Sequence, residues 1–360
     1  MTNKSIAILL NRYSEDNFLS GGEKVDFFLV KAFAELGFEI DLFCNESTVN
    51  NSKYIKNIGY YSKDYNFVRE KYLFTLAENF EFDRTFLYIH ENSRHFRNKY
   101  TRTPFSRFLQ NIFARKRKKV IDELLRREKM IVENTPFLLV PSNIVKNDLL
   151  EFFKVKEENI FILPPAINKA ESIEKKENNI FTFGLSARGF GNKGGWQVIL
   201  SCFFLKLLGK KFKILIIYPF SKSLNFLKII VALLGLSNNI TFLNYCSNMQ
   251  EEFYSKIDCL IMASKREAFG LVGAEAMQIG IPAIVSSRCG IKDFIINNEN
   301  GFVYDYNRPL YNLFKIMLYV VNNKSNLCNI SDKAKQIYEN LTFDKLKGNI
   351  ENILKTTKYL

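Results

Sequence analysis

Glu267 and Glu275 stand eight positions apart in the stretch SKREAFGLVGAEAMQIGIPAIV, residues 264–285, around a Phe269-Gly270 turn that opens a run of small residues. An ionised carboxylate only accepts hydrogen bonds, and it can take two donors at once, which suits a hydroxyl-rich ligand such as a sugar or a ribose. Amides after Phe269, at the start of the helix this run predicts, would meet a phosphate. A second set of residues reads Gly184-Leu-Ser-Ala-Arg188-Gly-Phe-Gly-Asn-Lys193-Gly194. Its Arg and Lys lie on a loop that follows an apolar run and precedes a helix. Arg offers a planar fork and Lys a mobile point charge, a pair able to grip the two phosphates of a nucleotide diphosphate.

The same loop contains Gly189, Gly191 and Gly194 in the G-x-G-x-x-G spacing of a dinucleotide site. A nicotinamide enzyme would place an acidic residue about twenty positions further on, for the ribose hydroxyls. No Asp or Glu occurs between Glu177 and Glu251, so that reading fails.

The elements that must hold these residues alternate. Strands are predicted at residues 6–10, 40–44, 86–89, 137–140 and 160–163, with an amphipathic helix over 23–36 that Gly37 stops. A long basic helix is predicted over 104–133, and the polar stretch 168–179 reads as a linker. A second series of strands follows at 180–185, 213–217, 240–243, 259–263 and 283–286. Helices at 194–208, 221–234, 250–256 and 270–279 separate them, and a helical tail covers 343–355. Alternation in both halves argues for two doubly wound, mostly parallel α/β sheets, whose ligands bind at the carboxyl edge.

On these residues the chain resembles a known family. E-A-F-G-L-V-G-A-E is similar to the E-x7-E signature of retaining glycosyltransferases of the GT-B fold, specifically glycosyltransferase family 4 (glycosyl transferases group 1). The resemblance implies two Rossmann-like domains facing a central cleft. Residues 1–168 would bind the acceptor, 169–342 the nucleotide sugar, and a helix in 343–360 would cross back to the first domain. Arg188 and Lys193 take the positions of the family's R-x4-K-G element, which neutralises the departing diphosphate. Glu267 would hold the donor sugar and Glu275 the ribose, with Phe269, Gly270 and Leu271 at the phosphates. Gly21-Gly22, between the first strand and helix, would let backbone approach the donor phosphate. His90 is read either as the family's histidine near the sugar, with His95 as a competing candidate, or as a structural residue bonded to a backbone carbonyl. Tyr245 is read either as a neighbour of the nucleotide base or as an ordinary strand-end aromatic.

The reaction so implied moves a hexose from a UDP- or GDP-type donor to a glycan or lipid-linked acceptor, with retention, without metal or other cofactor. The sequence alone leaves two alternatives, a nucleotide-sugar epimerase of the same fold and a non-catalytic sugar-nucleotide binder.

Bulk properties fit this class. A chain of 360 residues, 47% hydrophobic and 24% charged, suits two folded domains. It lacks an apolar run long enough to span a bilayer, and its first apolar stretch reads as a strand, not a secretion signal. Six scattered cysteines read as reduced core residues of a cytosolic protein, and with two histidines they give no metal-ligand spacing. The formal charge of +14 is concentrated. Between Glu91 and Asp122 there are ten Lys and Arg and no acidic residue. Three readings stay open for this segment: an amphipathic helix packed on the domain, nucleic acid, or an anionic membrane surface. Contact of residues 94–119 with the inner face of the cytoplasmic membrane is the favoured one, and nucleic acid the least supported. Lysine- and asparagine-rich usage suggests an AT-rich bacterial genome.

Overall fold

The structure is a computed structural model that describes residues 4–16, 20–49, 51–60, 71–77, 85–90, 115–170, 179–219, 222–244, 246 and 248–360. The chain forms two compact units, Met1–Asn168 together with Leu341–Leu360, and Lys169–Asn340.

The first unit runs β1 (Ser5–Tyr13), α1 (Gly21–Glu35), β2 (Glu39–Ser47), β3 (Asn57–Tyr60), β4 (Thr75–Ala77), β5 (Phe86–Tyr88), α2 (Arg115–Asn134), β6 (Phe137–Val140), α3 (Asn143–Phe152) and β7 (Ile160–Ile162). Its strands pair in the order β3-β2-β1-β4-β5-β6-β7, all parallel. Runs such as Ile6–Leu10 are apolar at every position because helices cover both faces of such a sheet. Ser20 caps α1, its hydroxyl accepting from the Glu23 amide at 3.3 Å, a contact that contributes about 1 kcal/mol.

The second unit continues with β8 (Thr182–Ser186), α4 (Gly195–Leu207), β9 (Lys213–Ile217), α5 (Lys222–Leu233), β10 (Ile240–Leu243), α6 (Met249–Glu252), β11 (Cys259–Met262), α7 (Leu271–Gln278), β12 (Ala283–Ser286), β13 (Phe302–Tyr304), α8 (Pro309–Asn322), α9 (Leu327–Lys335) and α10 (Ile337–Asn340). Its sheet order is β10-β9-β8-β11-β12-β13, again all parallel. The last helix, α11 (Phe343–Thr356), belongs to the first unit. There Lys347 bonds Glu35 of α1 at 2.9 Å and the Phe343 ring lies 6.0 Å from that of Phe28. No described helix is long and apolar enough to cross a membrane.

Two expectations change. β3, β4 and β13, of four, three and three residues, are too short for a two-residue periodicity to show, and parallel neighbours define them instead. The helix expected over 250–256 breaks at Phe253, whose backbone leaves helical geometry while its ring enters the core fully, so a 3-10 turn follows. In α2 the described residues that pack into the unit are Glu128 and Val132, while Val120 is 60% exposed. Ile121 and Leu124 of the same helix are half-buried, and residues 104–114 of the expected helix lie outside the described residues.

After α11 the Tyr359 ring stands edge-on to Phe74, Phe86 and Phe137, with centroids 5.4, 5.6 and 6.3 Å away. Replacing it, Tyr359→Ala, removes three aromatic contacts and opens a gap. We expect a loss of about 2 kcal/mol from the first unit, seen as a lower urea midpoint for its transition with that of the second unit unchanged.

Candidate functional site

In the second sheet the chain moves outward in one direction from β8 and in the other from β11, and these two strands are neighbours. Their loops therefore leave the carboxyl edge side by side, at a topological switch point. Two contacts hold the loops together. The Lys265 amide donates to the Asn192 carbonyl at 2.8 Å. Gly194 has φ +76°, and a β-carbon there would lie 2.0 Å from the Ala263 carbonyl oxygen. Only glycine satisfies both the left-handed backbone and this approach.

Glu267 sits at the centre of the second loop with its backbone fixed on both sides. Its amide donates to Arg288 at 2.9 Å, its carbonyl accepts from Gly290 at 3.0 Å, and the Phe269 carbonyl accepts from Ile291 at 2.7 Å. The side chain is thus presented from a short parallel bridge between Glu267 and Cys289. Its carboxylate pairs with the Lys193 ammonium of the other loop and accepts from the Ser264 hydroxyl at 3.2 Å. Below it, Ser286 donates to the Ser264 carbonyl at 2.8 Å. Burial, followed by the Glu267 charge, pushes the neighbouring Cys289 thiol up to about 12, so it stays protonated and inert.

Helix α7 begins at Gly270, which has φ +110° and would press a β-carbon to 2.6 Å from Met262 Cε. Gly273 and Ala274 donate back to the Gly270 carbonyl. The amides of Leu271 and Val272 precede the first intrahelical partners and point out of the helix start. Glu275, half-buried in the second turn, accepts from the Tyr254 hydroxyl at 3.1 Å. Burial and then the Glu275 charge hold that phenol well above its ordinary value. Arg188 is exposed on the β8–α4 loop. Lys193 and Glu267 thus meet directly, Phe269, Gly270 and Leu271 lie on the same loop, and Glu275 and Arg188 occupy the same edge.

The first unit holds its own polar group at the carboxyl edge. Gly21 and Gly22 open α1, and one turn later Asp26 is buried. His90, just past β5, bonds Asp26 through Nε2 at 3.2 Å, and its ring lies 4.7 Å from that of Tyr88. Burial raises the Asp26 carboxyl above its ordinary value, while His90 pulls it down and Glu23 adds to the rise. Asp26 escaped the sequence reading because one acid on an amphipathic helix looks like surface. Ser264 and Asn192 escaped it because their roles are a hydroxyl and a carbonyl contact with no spacing signature. Tyr245, His95 and residues 94–114 lie outside the described residues. Among the described residues no cluster of His, Cys, Asp and Glu could hold a metal ion.

Comparison with known proteins adds to this geometry. Residues 168–336 match the family described as glycosyl transferases group 1. The O-antigen chain mannosyltransferase RfbU of Salmonella typhimurium is 28% identical over 159 residues, 44% of this chain and 44% of that protein. The capsular polysaccharide biosynthesis glycosyltransferase CapM of Staphylococcus aureus is 25% identical over 135 residues, 38% of this chain and 35% of that one. The matched stretch thus spans less than half of either relative. Among solved structures, WaaG, a glycosyltransferase involved in lipopolysaccharide biosynthesis, superposes with TM-score 0.69 at 15% identity, covering 97% of this chain and 99% of that one. HepE of Anabaena, in complex with UDP, gives TM-score 0.70 at 13% identity, covering 97% and 99%. At these identities the likeness is one of fold: two parallel-sheet Rossmann-like units of the GT-B kind.

Two outcomes follow from the local geometry. Gly194→Ala drives a methyl group into the Ala263 carbonyl, and we expect the second unit to lose roughly 3 kcal/mol, read from its denaturation midpoint. The second concerns pH. Because the native carboxyl of Asp26 holds its proton more tightly than the unfolded one, its contribution to stability is present at low pH. It is lost as pH rises from the ordinary Asp value, about 3.9, through the raised native one. Asp26→Asn removes that slope, so the stability of the variant relative to the wild type climbs with pH over this window. Parallel urea-denaturation curves across a pH series would contradict the assignment.

Proposed function

We propose that this chain is a retaining glycosyltransferase that moves a hexose from a nucleotide-diphosphate sugar to a hydroxyl of a cell-surface glycan or glycolipid. The observation that carries the reading is the pairing of Lys193 with Glu267 beside the amide-bearing start of α7. At one sheet edge a cation and a helix N-terminus suit the phosphates of a nucleotide sugar, Glu267 its sugar hydroxyls and Glu275 its ribose. The group 1 match over this unit and the UDP in the HepE structure support a UDP-type donor, with GDP as the other base to try. The names of RfbU, CapM and WaaG support an acceptor in polysaccharide or lipopolysaccharide synthesis.

In this proposal the donor diphosphate lies over Leu271 and Val272, and its charge draws in Arg188 and Lys193. Lys193 then turns from the Glu267 carboxylate to a phosphate oxygen, and the freed carboxylate accepts from the donor sugar hydroxyls. Glu275, oriented by Tyr254, accepts from the ribose. As the glycosidic bond breaks, negative charge grows on the diphosphate, and the two cations and the helix amides stabilise it without a metal. The acceptor hydroxyl adds to the same face of the sugar and gives its proton to a departing phosphate oxygen. His90, held by Asp26, is the first unit's candidate group for a substrate hydroxyl. The enzyme would work in the cytoplasm at the inner membrane face, with the basic residues 94–119 toward anionic headgroups.

Arg188→Ala should lower kcat by about a hundredfold or more, because it removes a charge that acts chiefly in the transition state. Glu275→Gln should raise the donor KM by roughly tenfold with kcat little changed. Release of UDP or GDP in a coupled assay reads both. Wild-type turnover in Arg188→Ala would sink the assignment, and a thermal-shift screen against UDP, GDP and their sugars identifies the base.

A further inference from the structure

Exposed large apolar side chains occur singly over most of the described surface, but on one side of the second unit they gather. Helices α4, α5 and α8 bury Val198, Leu227 and Leu313 in one continuous core with alternate residues of β8 and β9, so all three cover the same face of the sheet. The Phe204 ring lies 5.8 Å from Phe314, joining α4 to α8, and the Lys206 ammonium donates to the Gly235 carbonyl just past α5. The outward stripes are apolar at helical spacing. Trp196, Phe204 and Leu207 stand out from α4, and Phe226, Ile229 and Leu233 from α5, the last 81% exposed. Tyr311 and Tyr319 flank Lys315 on the outer side of α8.

Such a surface needs a partner, since monomers rarely expose apolar area in one contiguous patch. Its charge says which kind. No Asp or Glu occurs from residue 178 to 250, and none occurs in α8. The cations on the three helices, exposed Lys206, Lys228 and Lys315 among them, are all lysine. Protein interfaces favour arginine and are depleted in lysine. Lysine among protruding Leu, Ile and Phe, with Trp and Tyr alongside, is the composition of a surface that lies on a bilayer. The aliphatic and aromatic side chains enter the headgroup boundary while the ammonium groups stay at the phosphates.

We propose that the outer face of α4, α5 and α8 docks on bilayers that carry anionic headgroups. This face is separate in sequence from residues 94–119, and it rests on no assignment of the transfer chemistry.

Trp196 is the one tryptophan of the chain and reports on this face directly. The full-length protein is mixed with vesicles of phosphatidylcholine and phosphatidylglycerol, part of the phosphatidylcholine brominated. Sedimentation with the vesicles and quenching of Trp196 are expected, both weakened by salt. Vesicles of phosphatidylcholine alone should bind far less. Phe226→Glu combined with Leu233→Glu should cut the bound fraction at least about tenfold and leave the nucleotide-induced thermal shift in place. Both positions are exposed, 59% and 81%, so the substitutions bury no charge. The proposal is overturned if the double variant binds like the wild type, or if vesicles bind without quenching Trp196. It also fails if the wild type ignores anionic vesicles, or forms a dimer by light scattering that the same substitutions dissolve.

Discussion

The second unit depends on the approach of two backbones, Gly194 against the Ala263 carbonyl. Everything at the carboxyl edge follows from it. With a β-carbon at residue 194 the β8–α4 loop would stand away from the β11–α7 loop, the Lys265 amide would lose the Asn192 carbonyl, and Lys193 would not reach Glu267. A glycine thus sets the distance between a cation and an acid that lie far apart in sequence. The same device recurs at Gly270, whose positive φ aims the first amides of α7 outward.

Four groups at this edge are paired or held neutral. Lys193 and Glu267 compensate each other across the two loops, Glu275 is satisfied by a phenol that burial keeps protonated, and Cys289 beneath them stays neutral. A cation and an acid held on separate loops can exchange partners more readily than a pair locked within one element. In the first unit the burial of Asp26 against His90 serves a different end, fixing the imidazole at the end of a three-residue strand.

Much of this was legible in the sequence, and the limits have physical causes. Five strands of the second unit, β8 to β12, could be placed because each is an apolar run bounded by turn residues, and the loop residues Arg188, Lys193, Glu267 and Glu275 because chemistry and spacing coincide there. β3, β4 and β13 were illegible because three or four residues carry no periodicity, and their pairing is a property of the sheet. Asp26 and Ser264 were illegible for another reason. A buried acid and a surface acid have the same letter, and only the position of His90 or Glu267 in space tells them apart. The kink at Phe253 shows a tertiary demand overriding a helical run. The ring is worth more in the core than one further turn of helix.

The chain completes its first unit last. Residues 169–340 form a contiguous block inserted between two parts of that unit, and the aromatic group of Phe74, Phe86 and Phe137 receives Tyr359 only from the far end. During synthesis the inserted block has all its strands before the ribosome reaches residue 341. The amino-terminal unit, which by the usual order matures first, has its seven strands early but lacks one helix. Until α11 emerges, its place along α1 stays empty.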